Sequence, residues 1–140
     1  MSVLTVVRAP CIACGEETDV QLGQAVAGNQ LYWSQSIRHC EHCGATLEAD
    51  SIGFPPAVYR DALLKDGGEY GVEVVDQTSR AAVASGLRET LELSLPDALA
   101  ASRAVPGVVW RGTQAEAEWV RRRLAARGVQ ANIVPCPEPG

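Results

Sequence analysis

The sequence lacks the features that identify a membrane protein or a common class of enzyme. Its 140 residues contain no apolar run long enough to cross a bilayer, so no membrane association is expected. No histidine follows His42, no glycine-rich phosphate loop follows a predicted strand, and no nucleophile motif stands out. The absence of these catalytic patterns predicts that the protein is not an enzyme.

The N-terminal segment also lacks a secretion signal, because Arg8 follows only a few apolar residues. We therefore expect a reducing, cytoplasmic location, in which cysteines rarely form disulfides. A composition of 46% hydrophobic and 21% charged residues is typical of a folded globular protein. The length suits one ordinary domain or two small ones.

Two CxxCG motifs, at residues 11–15 and 40–44, are the most informative feature that the sequence contains. Two CxxC pairs in one short segment have the spacing of a tetrahedral four-cysteine zinc site. The glycine after each pair permits the left-handed backbone of a tight turn. Four thiolates leave no coordination position for a substrate. The motifs therefore predict one structural zinc ion, bound by Cys11, Cys14, Cys40 and Cys43.

Other interpretations of these cysteines remain open. The CxxC pairs could be redox motifs or could form two disulfides, although the glycine and polar turn residues that follow favour a zinc knuckle. His39 or His42 could replace one cysteine as a ligand, but the simpler interpretation makes both histidines surface residues. Cys136 is the odd cysteine and is expected to be a free thiol.

Negative charge is concentrated in the N-terminal part of the chain. The net charge is −5, and residues 1–50 hold two arginines against six acidic residues. Residues 69–140 nearly balance, with eight arginines against nine acids. Because zinc ribbons that bind nucleic acid carry a basic surface, this distribution disfavours nucleic acid without excluding it.

The N-terminal half has the order strand, knuckle, strand, knuckle, which is typical of a zinc ribbon, and we assign the ribbon to residues 1–54. Residues 31–37 alternate apolar and polar and are predicted to be the strand that leads to the second knuckle. Residues 15–30 are polar with scattered glycines and are predicted to form a loop or weak hairpin. Residues 55–68 are predicted to be a connecting helix and a Gly-Gly linker, with Val58, Ala62 and Leu63 as its packing face.

The C-terminal half, residues 69–135, has the predicted order β-α-α-β-α-β and is followed by a tail at 136–140. Ser79 and Ser94 are predicted to cap the first two helices. The segment from Thr113 to Glu116 is a capping box that begins the third helix. That helix is expected to bury Ala117, Val120 and Leu124 and to expose the arginines 121, 122, 123 and 127. The predicted fold class is α+β, with a zinc ribbon followed by this small domain.

Several residues of this half occupy matching places in a known domain. Leu87-Arg88 stands at the end of the first helix, residues 92–99 form the next turn and helix, and Arg127-Gly128 ends the third helix. In these residues and in its element order, the half resembles the C-terminal domain of the bacterial large-subunit ribosomal stalk protein, the L-seven/L-twelve family. Glu92 and Ser94 stand where that family has turn glycines. The resemblance implies the stalk fold.

The stalk family uses basic side chains on its first two helices to catch translation GTPases. The resemblance therefore implies a partner-binding face on residues 80–91 and 95–104, with Arg80 and Arg88 as charged anchors. Arg121 and Arg122 are further candidates, although solvation is the simpler explanation of an arginine run. We expect a non-enzymatic protein-binding module, either an adaptor or an inhibitor of the immunity-protein type. The alternative is a ribosome- or RNA-associated factor.

Overall fold

The computed structural model describes residues 2–136, apart from the side chains of residues 2, 3 and 78. The fold is mixed α+β and divides into two compact units, Met1–Gly67 and Gly68–Gly140. Of the tail predicted at 136–140, all but the first residue lies outside the described range. None of the helices in the described range combines the length and apolar character that a bilayer crossing requires.

The first unit is built on a four-stranded antiparallel sheet in which every strand pairs with its neighbours in sequence. One CxxCG motif connects β1 to β2, and the other connects β3 to β4, so both knuckles lie at the same end of the sheet. The strands are β1 (Ser2–Pro10), β2 (Glu17–Ala27), β3 (Gln30–Ile37) and β4 (Leu47–Ile52).

The second strand corrects the prediction of a loop or weak hairpin over residues 15–30. It is 11 residues long and pairs with both β1 and β3. Val20, Leu22 and Val26 are buried on one side of it. The prediction was wrong because Gln24 interrupts the apolar side of the alternation and because Gly23 has a low strand propensity. The conformation of a central strand is determined more by its pairing with the strands on both sides than by the intrinsic strand propensity of its residues.

Helix α1 (Ala57–Gly67) belongs to the first unit and packs against β1 and β2. Its Leu63 is buried, and Tyr59 and Ala62 are partly buried beside it. The Tyr59 ring also lies 6.1 Å from the ring of Trp33 on β3. The prediction that Val58 packs inward was wrong, because Val58 is 69% exposed. The helix is therefore part of the core of the first unit.

The second unit has a three-stranded antiparallel sheet with β5 in the centre and the order β6-β5-β7. Helix α4 contacts all three strands, and α2 contacts both α3 and α4. A short 3-10 turn at Gln77–Ser79 precedes α2. The elements are β5 (Glu69–Val74), α2 (Arg80–Leu91), α3 (Leu95–Ser102), β6 (Gly107–Gly112), α4 (Gln114–Ala125) and β7 (Asn132–Cys136).

Two of the three predicted helix caps are confirmed. The Ser94 hydroxyl accepts a hydrogen bond from the backbone N–H of Asp97 at the start of α3. Thr113 and Glu116 form the complete capping box of α4. The predicted cap by Ser79 was wrong, because its hydroxyl donates to the carbonyl of Asp76 and no side-chain cap bond forms. The preceding 3-10 turn holds Ser79 outside the extended conformation that a capping residue usually adopts.

Candidate metal centre

The four sulfur atoms of the CxxCG motifs converge on one point. The Sγ atoms of Cys11, Cys14, Cys40 and Cys43 all lie within 4.8 Å of one another. The Sγ atoms of Cys11 and Cys43 are 3.8 Å apart, and those of Cys14 and Cys40 are 3.7 Å apart. Four sulfurs at metal bonds of about 2.3 Å in a tetrahedron are separated by about 3.8 Å. The cluster therefore has the geometry to bind a metal ion.

The two knuckles present their thiols through the same backbone turn. In the first, the N–H of Cys11 donates to the carbonyl of Glu16, and the N–H of Gly15 donates to the carbonyl of Cys11, each at 2.8 Å. The second knuckle repeats both bonds, from Cys40 to Ala45 and from Gly44 to Cys40. Both glycines have φ near +75° to +79°, a conformation that other residues adopt only with strain.

The cysteines differ in burial according to their place in each motif. Cys11 and Cys40, which come first, are 2% and 0% exposed and belong to the core of the first unit. Cys14 and Cys43, which come second, are exposed. A bound ion would therefore cross-link the hydrophobic core to the two surface turns and would stabilise the unit as a whole.

The pKa values of the thiols are driven apart by their surroundings. Hydrogen bonds from the backbone N–H groups of Cys43 and His42 lower the pKa of Cys40 to about 6. A hydrogen bond from the backbone N–H of Glu16 lowers the pKa of Cys14, but desolvation and the neighbouring thiols outweigh it and raise the pKa to about 12. A cation that binds the cluster therefore has to displace protons from the thiols whose pKa values are raised, Cys14 among them.

The other histidine and cysteine candidates do not join this cluster. His39 and His42 are exposed and are absent from the group of converging ligand atoms in the described residues. The Nε2 atom of His42 lies 4.0 Å from a carboxylate oxygen of Glu41 instead. All five cysteines lie in the described range, and none of them forms a disulfide there. Cys136 ends β7 in the other unit.

The arginines considered for partner binding occupy three different environments. Arg88 is exposed in the last turn of α2, and no hydrogen bond or ion pair holds its side chain in the described residues. Arg80 is exposed, but its guanidinium donates to the carbonyl of Val105 at 2.7 Å. Arg121 and Arg122 are half-buried and both bind the carboxylate of Glu118.

Arg121, Arg122 and Arg123 are therefore half-buried and not on the exposed surface that the sequence predicted, whereas Arg127, which follows α4, is exposed as predicted. Arg123 forms an ion pair with Glu89 at 3.7 Å, and Arg127 contacts Glu89 and the Ser85 hydroxyl. These contacts tie α4 to α2. The sequence contained a signal for Glu118, which lies three and four residues before Arg121 and Arg122, the spacing at which helical side chains meet.

We expect Glu118→Gln to lower the free energy of unfolding at neutral pH by about 1–2 kcal/mol, because the three hydrogen bonds from Arg121 and Arg122 lose their anionic acceptor. The hydrogen bond from Arg121 is the main reason why the pKa of Glu118 is lowered. An acid with a lowered pKa stabilises the fold above its unfolded-state pKa, and that stability is lost as the pH falls through the folded-state value. The difference between variant and wild type should therefore shrink below about pH 4.

Urea denaturation at neutral and acidic pH measures this effect. Glu73→Gln is the matched control, because Glu73 makes no ion pair in the described residues. Equal destabilisation by the two variants, or a Glu118→Gln effect that persists in acid, would contradict the stabilising role of the carboxylate.

Comparisons of this chain with protein-family models, with curated proteins and with solved structures found no match.

Proposed function

We propose that this protein is a non-enzymatic protein-binding module that carries one structural zinc ion. The assignment of zinc is supported by the convergence of four thiols, whose sulfur atoms all lie within 4.8 Å of one another. Zinc in structural sites favours four cysteine ligands in a tetrahedron. Such a site is closed, because no coordination position is left for water or substrate. Its role is to hold the fold together, which supports a binding protein over a metalloenzyme.

The partner-binding surface is proposed on α2 and α3 and is called the α2–α3 face, consisting of Arg80, Arg88, Leu95 and Leu99. Leu95 and Leu99 are 49% and 41% exposed and lie four residues apart, so they share one side of α3. Ala98 and Ser102 of the same helix are buried. Exposed leucines and an unpaired arginine on two helices that contact each other are typical of a protein interface.

The resemblance to the stalk family supports the same surface. The second unit has the element order β-α-α-β-α-β, which is the order that the resemblance implies. The stalk family binds its partners through the first two helices of that order. Arg121 and Arg122 are not part of the proposed face, because both are bound to Glu118. An adaptor and an inhibitor of a partner protein are equally compatible with such a face.

Charge reversal of Arg88 tests the proposal. Arg88→Glu is expected to weaken capture of the partner from native lysate by about tenfold, the effect of removing one charge-assisted contact. Arg80→Glu is a less clean variant, because it also breaks the bond to Val105. Lys65→Glu is the matched control, since Lys65 is exposed on α1 of the other unit.

The capture should be repeated at high salt and with RNase. A dominant protein that survives both treatments and is lost with Arg88→Glu supports the protein-binding module. Ribosomal material that disappears with salt or RNase would favour the RNA-associated alternative, because phosphate contacts weaken steeply with salt. Equal capture by Arg88→Glu and Lys65→Glu would remove the α2–α3 face from consideration.

A further inference from the structure

One face of the N-terminal sheet is covered by α1 and the core, and the opposite face is open. Strand register places four exposed apolar side chains on the open side. They lie on β1, β3 and β4 and are between 36% and 64% exposed: Leu4, Val6, Tyr32 and Ile52. We call this surface the open sheet face. Its apolar side chains have no covering element in the described part of the first unit.

A hollow of about 320 Å³ lies on the open sheet face. Leu4, Gly23, Ser34 and Asp50 stand opposite one another on the four strands and form one row across the hollow. Ala25 and Tyr32 line it beside this row. A glycine inside a central strand weakens the strand and often marks a place where another molecule approaches closely. Gly23 therefore leaves room at the point where a larger side chain would fill the hollow.

The charge on β4 indicates what this hollow accepts. Asp50 and Glu48 are exposed on the open side, and neither makes an ion pair or side-chain hydrogen bond within the described residues. On the opposite edge, Arg8 is neutralised by Asp19 at 3.1 Å and Glu41 at 2.9 Å. The first hollow thus has uncompensated carboxylates beside apolar walls, while Arg38, a cation of this face that makes no ion pair in the described residues, lies at a second hollow towards the knuckles. The first hollow is therefore complementary to a cation with an aliphatic stem.

The open sheet face has a second hollow beside the first. This second hollow of about 450 Å³ lies towards the knuckles and is lined by Val6, Gln21 and Ser36, the next row of the sheet, together with Arg38. Two hollows in adjacent rows suit an extended chain segment better than a single small molecule.

We propose that the open sheet face binds a basic, partly apolar segment of a partner protein, with one lysine or arginine side chain seated in the hollow. The stem of that side chain lies between Leu4 and Tyr32, and its charged end reaches the carboxylate of Asp50. The Tyr32 ring adds a favourable contact with the cation. This surface belongs to the first unit and the α2–α3 face to the second, so the two proposals can be tested independently.

The first test uses small probes of the side chain on the full-length protein. Butylguanidinium has the stem and charge of an arginine side chain, and butylurea has nearly the same shape without the charge. In an NMR titration, butylguanidinium should shift the backbone amides of Gly23, Ala25 and Ser34. Asp50→Asn should weaken its binding by about tenfold, the value of a charge-assisted hydrogen bond. Asp61→Asn, on α1 beneath the opposite face, should leave binding unchanged.

The second test defines the segment itself. Selection of a displayed library of random peptides on the full-length protein should enrich sequences in which a lysine or arginine adjoins apolar residues. Gly23→Val fills the hollow with a residue that strands favour and should lose these peptides, while its circular dichroism stays that of the wild type. Arg88→Glu should retain them, so failure of this proposal is distinguishable from failure of the α2–α3 face.

Three results would overturn the proposal. They are the absence of any shift with butylguanidinium, equal shifts with butylurea, and selection of acidic or uniformly apolar peptides. Retention of basic peptides by Gly23→Val would equally remove the hollow from consideration.

Discussion

Removal of the metal by a chelator is expected to unfold the first unit and to leave the second unit folded. Structural zinc contributes about 10–16 kcal/mol to the folding of small domains, which is as large as the total stability of most domains. Cys11 and Cys40 are buried in the core beside Leu22 and Leu63, so loss of the ion also loosens that core. The second unit contains none of the clustered thiols.

Elemental analysis and NMR measure this result together. The purified protein should contain about one zinc ion per chain. After chelation, amide signals from Val20 and Leu22 should collapse, whereas those from Val83 and Leu124 should keep their dispersion. Chelation should also be easier at lower pH, because protons then compete with the metal for the thiols.

Single substitutions distinguish the loss of the metal site from the loss of any one thiol. Cys40→Ser should abolish stoichiometric zinc binding and unfold the first unit, because Cys40 is both buried and clustered. Cys136→Ser is the control and should keep both the zinc content and the fold, since Cys136 lies in the other unit. A protein with reduced thiols that is folded throughout and contains no metal would refute the zinc assignment.

Gly112→Ala is expected to destabilise the second unit by about 3 kcal/mol, through overpacking and the loss of a helix cap. Gly112 ends β6 directly before the capping residue Thr113. A methyl group at this position would overlap the Trp110 ring and the carboxylate of Glu116. That carboxylate accepts the backbone N–H of Thr113 at 3.0 Å and is fully buried, so it has no route to water if displaced.

Gly128→Ala provides the control for this prediction. Gly128 follows the end of α4 with φ at +80°, and nothing lies within 4 Å of the position of an added methyl group. Its substitution should cost about 1 kcal/mol, from backbone strain alone. Urea denaturation with NMR detection of the second unit compares the two variants. If Gly112→Ala costs no more than Gly128→Ala, the close contact with Glu116 is not a constraint on the fold.

Local sequence patterns were sufficient to predict those elements that depend on residues only three or four positions apart. The helix over 80–91 and the capping box at Thr113 are confirmed, because a helix and its cap depend on residues three or four positions apart. The four clustered thiols are of the same kind. Each CxxCG motif determines its own tight turn, and the pairing of two such motifs was predicted from the tetrahedral preference of zinc.

Contacts between distant residues could not be predicted in this way. The second strand lacked a clean alternation and became a strand because it has partners on both sides. Helix α1 uses Tyr59 and not Val58 for packing, since the position of the sheet beneath the helix decides which residues point inward. Arg123 and Arg127 meet Glu89 across two helices, and nothing in their own segment indicates that contact.

The sequence by itself determined the chemistry of the thiol cluster, the mixed α+β class and most helix boundaries, because each rests on short-range spacing and local backbone preference. Only the tertiary structure decided which charges are free and which surfaces are open. Strand register brings Leu4, Gly23, Ser34 and Asp50 into one row from four segments of the chain. Helix packing compensates Arg123, through Glu89 on α2, but leaves Arg88 unpaired in the described residues. Exposure, and pairing between distant segments, are properties of the whole packed chain, so no local pattern encodes them.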